Sequence, residues 1–495
     1  MKTKYSLFLS IILSFFVTQI IATINVYHSN LQLHHNLKLM EECSYLLVPN
    51  EHVIPELLKY NTAFLGGLFF TATLGAGLGL VSYFLAIIFI NHNKSKKILL
   101  FIILLWLVCI IFSNIKGFNS SAFYFIFVPI SVFCFAIITI PPKNQSIFSG
   151  YFPKISAILI FILIILYVKN LSFVNIRDYI FLSNSFGKKI TDFYYKYTLF
   201  PAESFKRPDQ KLLKTCYIDT ENYPEIIPKL QNKLIRYSYL PVNTKENVDL
   251  YALVNKENIK LFHKNKKILE SPRIDFFTNT KNILKEYSNK CDRKSFLRQI
   301  TFLSLLIAQP VVFYILLYTL LYGFFNGIVK NLNHISLSAL TSVLITFILA
   351  LIISFLPFQS IKNQENINLH KALNSKSYKE RVSALKIIEQ EYDIIDFPEY
   401  KNLLTSSQTA EKYWLLRTLG KSKSYQTYND IIKFLNDSNV IVVCQAFNAL
   451  GNKKKRQAIN IIIKKIKSSK NWYEQLYGYN ALKRLGWRQS VSKIN

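Results

Sequence analysis

Seven long apolar runs, at residues 5–24, 63–90, 98–113, 121–140, 155–168, 300–329 and 335–358, constrain this chain more than any other feature. None contains Asp, Glu, Lys, Arg or His. A helix needs about 20 apolar residues to cross a bilayer, and most of these runs approach or exceed that length. The fifth is short, but Tyr151 and Phe152 extend it if Lys154 snorkels to the headgroups. Apolar residues fill 51% of the 495 positions, gathered in blocks rather than spread as amphipathic faces. The expected class is a multi-pass α-helical membrane protein. Ionisable residues within a membrane usually mark ion and proton pathways, so their absence weighs against a coupled transporter.

The runs divide the chain. Residues 1–24 read as a signal-anchor or a signal sequence, because a basic start (Lys2, Lys4) precedes an apolar stretch. Residues 25–62 are expected to form an outer loop, 63–168 to hold membrane helices two to five, and 300–358 helices six and seven. Short-loop lysines set the orientation. Lys2, Lys4, Lys94, Lys96, Lys97, Lys143, Lys154 and Lys330 fall on one side, against only Lys38, Lys59 and Lys116 on the other. With the N-terminus inside, segments 25–62, 169–299 and 359–495 lie outside, which for a bacterial inner membrane is the periplasm.

Segment 169–299 is long enough for a small domain. Residues 248–254, 255–258 and 259–263 read as strand, turn and strand from their β-branched and turn residues. Residues 228–237 read as a helix with Leu230, Leu234 and Ile235 on one face, which suggests an α+β domain. Cys216 and Cys291 are the only cysteine pair within one extramembrane segment. A disulfide and two unrelated buried thiols are both open readings.

The glycine-rich stretch GAGLG (Gly75, Gly77, Gly79) lacks the G-x-G-x-x-G spacing of a dinucleotide loop, and no acid follows it until Asp178. Gly75 and Gly79 instead form a G-x-x-x-G pair, with Ala72 and Ala76 beside them. Small residues four apart let membrane helices meet at backbone distance. Gly77 falls on another face. The Gln309-Pro310 step is a candidate break that lines a cavity, or a purely structural kink.

Chemistry-bearing patterns are sparse. His28, His34, His35 and His52 with Glu41, Glu42 and Cys43 leave metal or haem ligation conceivable, but solvated loop histidines are the ordinary reading. No cofactor motif is present. Lys453-Lys454-Lys455-Arg456 resembles a nucleic-acid patch, yet the expected topology argues against nucleic acid. The net charge of +31 favours anionic membrane lipids and acidic partners. Aromatic and basic residues crowd the stretch DFYYKYTLFPAESFKRPDQKLLK, as in an interfacial belt.

The C-terminal segment repeats. LNSKSYKERVSALKII from Leu373, LTSSQTAEKYWLLRTLG from Leu404 and LNDSNVIVVCQAFNALG from Leu435 share a 31-residue register, and IKSSKNWYEQLYGYNALKRLG from Ile466 follows. Ala384, Leu415 and Ala446 coincide, as do Leu419 and Leu450, with Ala481 and Leu482 in the last block. Each block reads as a polar turn, a helix, often a closing Gly, and a second helix. These residues resemble the HEAT-like repeat family in its short form. The resemblance implies a C-terminal α-solenoid that binds a protein partner, and it carries no catalytic motif. The expected function is a membrane scaffold or assembly protein. A transporter or channel component, and an envelope enzyme using the first loop's Glu and His residues, are the alternatives.

Overall fold

A computed structural model describes residues 6–140, 176–220, 223–328 and 368–490, with a few isolated positions besides. The apolar run at 155–168 and nearly all of that at 335–358 lie outside the described residues. Five described helical spans are long and apolar enough to cross a membrane. The chain divides into two compact units.

The first unit takes in residues up to His28, the stretch from Tyr60, and the stretch from Asp292. Its helices are α1 (Ser6–Glu42, whose end belongs to the second unit), α2 (Tyr60–Phe70), α3 (Ala76–Asn91), α4 (Lys96–Asn114), α5 (Ala122–Thr139), and a span built from Ser295–Leu303 and Gln309–Ile328. The expected loop at 25–62 begins instead as helix, because α1 runs on to Glu42. Residues 25–42 contain no Gly or Pro to stop it, and Val26, Asn30, Leu37 and Met40 continue a buried stripe at helical spacing.

Two π turns interrupt the spans. Thr71–Gly75 joins α2 to α3, and Ser304–Ala308 joins Ser295–Leu303 to Gln309–Ile328. A π turn holds one residue more than an α turn, so it frees backbone groups and shifts the helix face. At the end of the first, the carbonyl of Gly75 accepts from Ser14 Oγ at 2.6 Å. The second π turn precedes Pro310, whose ring clashes with the carbonyl four residues back and which brings no N–H. The helix therefore passes Gln309-Pro310 as one 34-residue span rather than breaking there. Ile11, Ala76, Leu80, Ala308 and Val312 form the core between these elements. By contrast, only 11% of α4's apolar window is buried. A helix apolar all round and left uncovered is built for lipid.

The second unit joins Ser29–Lys59, Ile176–Cys291 and the residues from Gln359. After a π turn at Arg177–Phe181 come α6 (Ser185–Tyr197) and α7 (Leu199–Phe205). A five-stranded mixed sheet follows, in the order β2-β1-β3-β4-β5. Its strands are β1 (Lys214–Thr220), β2 (Tyr239–Pro241), β3 (Leu250–Val254), β4 (Asn258–His263) and β5 (Lys266–Pro272). Helix α8 (Ile227–Arg236) connects the parallel pair β1 and β2, while β3, β4 and β5 pair antiparallel. Helix α9 (Arg273–Cys291) contributes Phe276, Ile283 and Tyr287 to the sheet's core.

The C-terminal helices are α10 (Tyr378–Glu391), α11 (Thr409–Lys421), α12 (Gln426–Lys433), α13 (Val440–Lys453), α14 (Ala458–Ser468) and α15 (Trp472–Arg484). Helices α10, α11, α13 and α15 pack in succession, and α12 and α14 fill the second positions. Ala384, Leu415, Leu419, Ala446, Leu450, Ala481 and Leu482 are all at most 1% exposed. The glycines that close the second and third sequence blocks, Gly420 and Gly451, are contact residues, whereas Gly486 at the end of the fourth is a left-handed cap with φ +83°. A Cβ on Gly420 would lie 2.9 Å from Ala449 Cα, and one on Gly451 3.2 Å from Ala481 Cα. Adjacent first helices thus meet at backbone distance. Arg381–Glu411 and Tyr400–Asp430 tie residues 30 apart.

Candidate interaction site

The first helices of the C-terminal array present one face to other parts of their own unit. At its centre is Asp178, fully buried in the π turn at Arg177–Phe181. Its carboxylate accepts from Arg177 Nε and Nη2 at 2.8 and 2.7 Å, from Trp414 Nε1 at 2.8 Å, and from Lys386 Nζ at 2.7 Å. Aromatic faces complete the cage. The Arg177 guanidinium lies 4.4 Å from the Tyr413 ring centroid, and Lys386 Nζ lies 5.0 Å from that of Trp414. Removing one member of such a buried charge group strands the others.

The same face continues toward α15. Thr198 and Tyr473 share a hydrogen bond of 2.8 Å, and the Tyr195 ring meets Tyr473 edge-on at 4.7 Å. Phe200 meets Trp472 at 5.1 Å. Residues 177–200 therefore run along the first helices and cover their aromatic positions.

A second clasp comes from the segment after α1. Asn50 Nδ2 donates to the carbonyls of Ile466, Lys467 and Ser469 at 2.8, 3.0 and 3.0 Å. These carbonyls close the C-terminal end of α14, where backbone acceptors lack helical partners. Asn50 N–H donates to Gln475 Oε1 at 2.9 Å, and Gln489 exchanges two hydrogen bonds with the backbone of Leu46. Tyr45 Oη reaches the carbonyl of Pro241 at 3.0 Å, so the segment also touches β2.

Asp249, directly before β3, forms a third knot. It accepts from Lys211 Nζ at 2.8 Å, Asn36 Nδ2 at 3.2 Å and Thr215 N–H at 3.2 Å. Burial alone would raise the Asp249 carboxyl, but the charge and hydrogen bond of Lys211 outweigh it and hold it below the ordinary value. Lys211 is raised, because Asp249 and Glu203 outweigh its own burial. Lys214 nearby has no ion-pair partner among the described residues, and its Nζ donates to the Lys211 carbonyl at 3.3 Å. Burial first, and then the charge of Lys483, push it down to about 8.

The sequence-predicted residues scatter more widely. Gly75 faces Phe15 and Thr18 of α1, and Gly79 faces Ser14. Gly77 faces Ser304 in the second π turn. Ala76 is in the core, but Ala72 is exposed. Ala72 lies inside the π turn, whose winding departs from the α-helical four-residue register on which that pairing was read. Cys216 and Cys291 share the sheet's core but form no disulfide. Burial drives the Cys216 thiol well above its ordinary value, which leaves little of the reactive thiolate. Among the described residues no three His, Cys, Asp or Glu side chains gather to hold a metal. Glu41, Glu42, His28, His35 and His52 are exposed along α1 and beyond it, and His52 Nε2 lies 4.0 Å from the exposed Glu51 carboxylate.

Asp178 and Asn50 escaped sequence reasoning. The one available signal was that Asp178 is the first carboxylate after Glu56, at the end of a long acid-free stretch. Comparison of the chain with family models, with curated proteins and with solved structures finds no match to any of them.

Proposed function

We propose that this chain is an integral membrane scaffold whose HEAT-like C-terminal repeats offer a protein-binding surface on one side of the bilayer. One observation carries the reading. The aromatic face of the first helices is filled by the chain's own residues 177–200, while the second helices leave a basic ridge uncovered. That ridge carries Tyr425 and Lys433 at the two ends of α12, Lys464 and Lys467 on α14, and Lys454 in the turn between α13 and α14, all exposed. A filled inner face and an open charged ridge suit a fixed platform for an acidic partner better than an enzyme cleft.

Deleting the repeats is a poor test, because Asp178, Asn50 and Leu46 would lose their partners with them. A photo-crosslinking residue placed at Tyr425, Lys433 or Lys464 in the full chain tests the ridge in its native membrane. The expected result is a discrete protein adduct at these positions and none at Ile274, which is 82% exposed on α9. Absence of a protein adduct along the whole ridge would remove the proposal. Segments 29–59, 176–291 and 368–490 belong to one compact body, which supports their lying on a single side. For a bacterial inner membrane the lysine bias makes that side the periplasm. Reporters in each segment should give one common location.

The second reading, a transport component, draws on the two π turns and the polar stripe of α1. Ser10 Oγ and Thr18 Oγ1 are buried with no hydrogen-bond partner among the described residues. π turns in membrane spans often mark functional positions. Water-soluble thiol reagents that reach Ser10→Cys and Thr18→Cys from one side would favour it, and inert cysteines would dismiss it.

A further inference from the structure

Helix α6 is docked with its apolar side outward. Phe186, Ile190 and Phe193 are exposed, Phe186 by 70%, and Tyr197 completes a stripe at i, i+4, i+7 and i+11. The Phe193 and Tyr197 rings touch at 5.0 Å along it. The opposite side is the one that packs inward: Gly187, Thr191 and Tyr195 follow one another at four-residue spacing. A Cβ on Gly187 would stand 2.7 Å from Phe181 Cα, so this side is pressed against backbone. Asn184 caps the helix by accepting from Gly187 N–H at 2.7 Å, which fixes its start. A helix facing water buries its apolar stripe, and this one does the reverse.

The charges tell what belongs on the stripe. Helical spacing puts Lys189 and Lys196 along one margin of the apolar face and Tyr194 along the other. Lys188, Lys189 and Lys196 outnumber Asp192, the helix's one acid. An apolar face of Phe and Ile, edged by lysine and tyrosine, is the composition of a helix lying in the headgroup layer. The site also follows the uncharged run at 155–168 by fewer than 20 residues, a short tether to a membrane segment. We infer that α6 is an interfacial anchor whose Phe186–Ile190–Phe193–Tyr197 stripe inserts into the bilayer surface, with Lys189 and Lys196 on anionic headgroups. This rests on the membrane reading of the apolar helices. Its consequence is mechanical: the π turn that carries Asp178 and the helix that touches Tyr473 are both continuous with a surface held at the lipid.

The test is site-specific photo-crosslinking of the full chain in vesicles of phosphatidylethanolamine and phosphatidylglycerol in equal parts. Benzoylphenylalanine replaces Phe186, Ile190, Phe193 or Tyr197 in turn, with Asp192 as the off-stripe position and Phe101 of α4 as the membrane control. Lipid adducts on the four stripe positions, with little at Asp192, are expected. The adducts should be enriched in phosphatidylglycerol about threefold or more over the vesicle, and Lys189→Gln with Lys196→Gln should bring that ratio back to the bulk value. An adduct to a second copy, to another segment of the chain, or equally to all helix positions would overturn the proposal. Lipid adducts at Phe101 alone would defeat it and leave the membrane reading intact. None at either would defeat both.

Discussion

Replacing Asp178 with Asn should loosen the grip of residues 176–200 on the C-terminal helices. The side chain keeps its volume but loses its charge and one acceptor. Lys386, whose side chain is 8% exposed, then stays buried with no other ion-pair partner among the described residues. Breaking a buried pair from one side costs about 3–5 kcal/mol. Arg177 adds little to this, because its side chain is 28% exposed and water takes over its charge. The loss falls on local opening of the segment, which hydrogen exchange read by mass spectrometry measures peptide by peptide. Protection over 182–200 should fall by a factor of about 100 or more, since 1.4 kcal/mol is about tenfold. Adding Lys386→Met should return a large part of it, because the stranded cation goes with its carboxylate. The pair should be non-additive by about 1–3 kcal/mol. Strict additivity, or a loss under about tenfold, would refute the claim that Asp178 is a buried charge centre and not a surface pair.

Three further outcomes follow from the same reasoning. Lys214 is 4% exposed and pushed from 10.5 down to about 8, so the unfolded chain binds its proton more tightly than the folded one. Stability should therefore rise as pH climbs from 8 toward 10.5, by about 3 kcal/mol at most. Lys214→Met should flatten that rise in a denaturation series. Asn50→Asp would set a carboxylate against three carbonyls at the negative end of α14, and should cost about 2–4 kcal/mol in exchange protection of 458–475. Asn50→Ala should cost less. Gly79→Leu must displace Ser14, which a single Cβ would already approach to 2.7 Å, while Gly327 has nothing within 4 Å of the same atom. Detergent-solubilised Gly79→Leu should melt earlier by several degrees and Gly327→Leu should not, overpacking costing about 1–3 kcal/mol.

What could be read in advance followed from local rules. The uncharged runs announced long apolar helices, because a bilayer-length stretch without charge has few other uses. The strand–turn–strand around Asn255 and the helix with Leu230 and Leu234 were legible from period and turn chemistry, and β3, β4 and α8 occupy those positions. The end of α1 was misread because polar composition resembled a loop, although nothing in it breaks a helix. The π turns were invisible: one added residue leaves no mark in a pattern, yet Ala72 lies exposed within one of them and the other precedes Pro310 in a continuous span.

Where apolar helices form and where a 31-residue repeat recurs can be read from residue order alone, because length and periodicity are properties of neighbours along the chain. Which face of each element is used depends on contacts between distant segments. Asp178 and Lys386 are 208 positions apart in sequence, and Asn50 and Ser469 further still, so no window contains both partners of either clasp. Buried polar contacts of that kind exist only once the backbone brings the groups within about 3 Å and excludes water from them. The outward stripe of α6 is the converse case. Its amphipathic period is written in the sequence, but whether that face is buried or left open was settled by Gly187 and Tyr195 taking the inside.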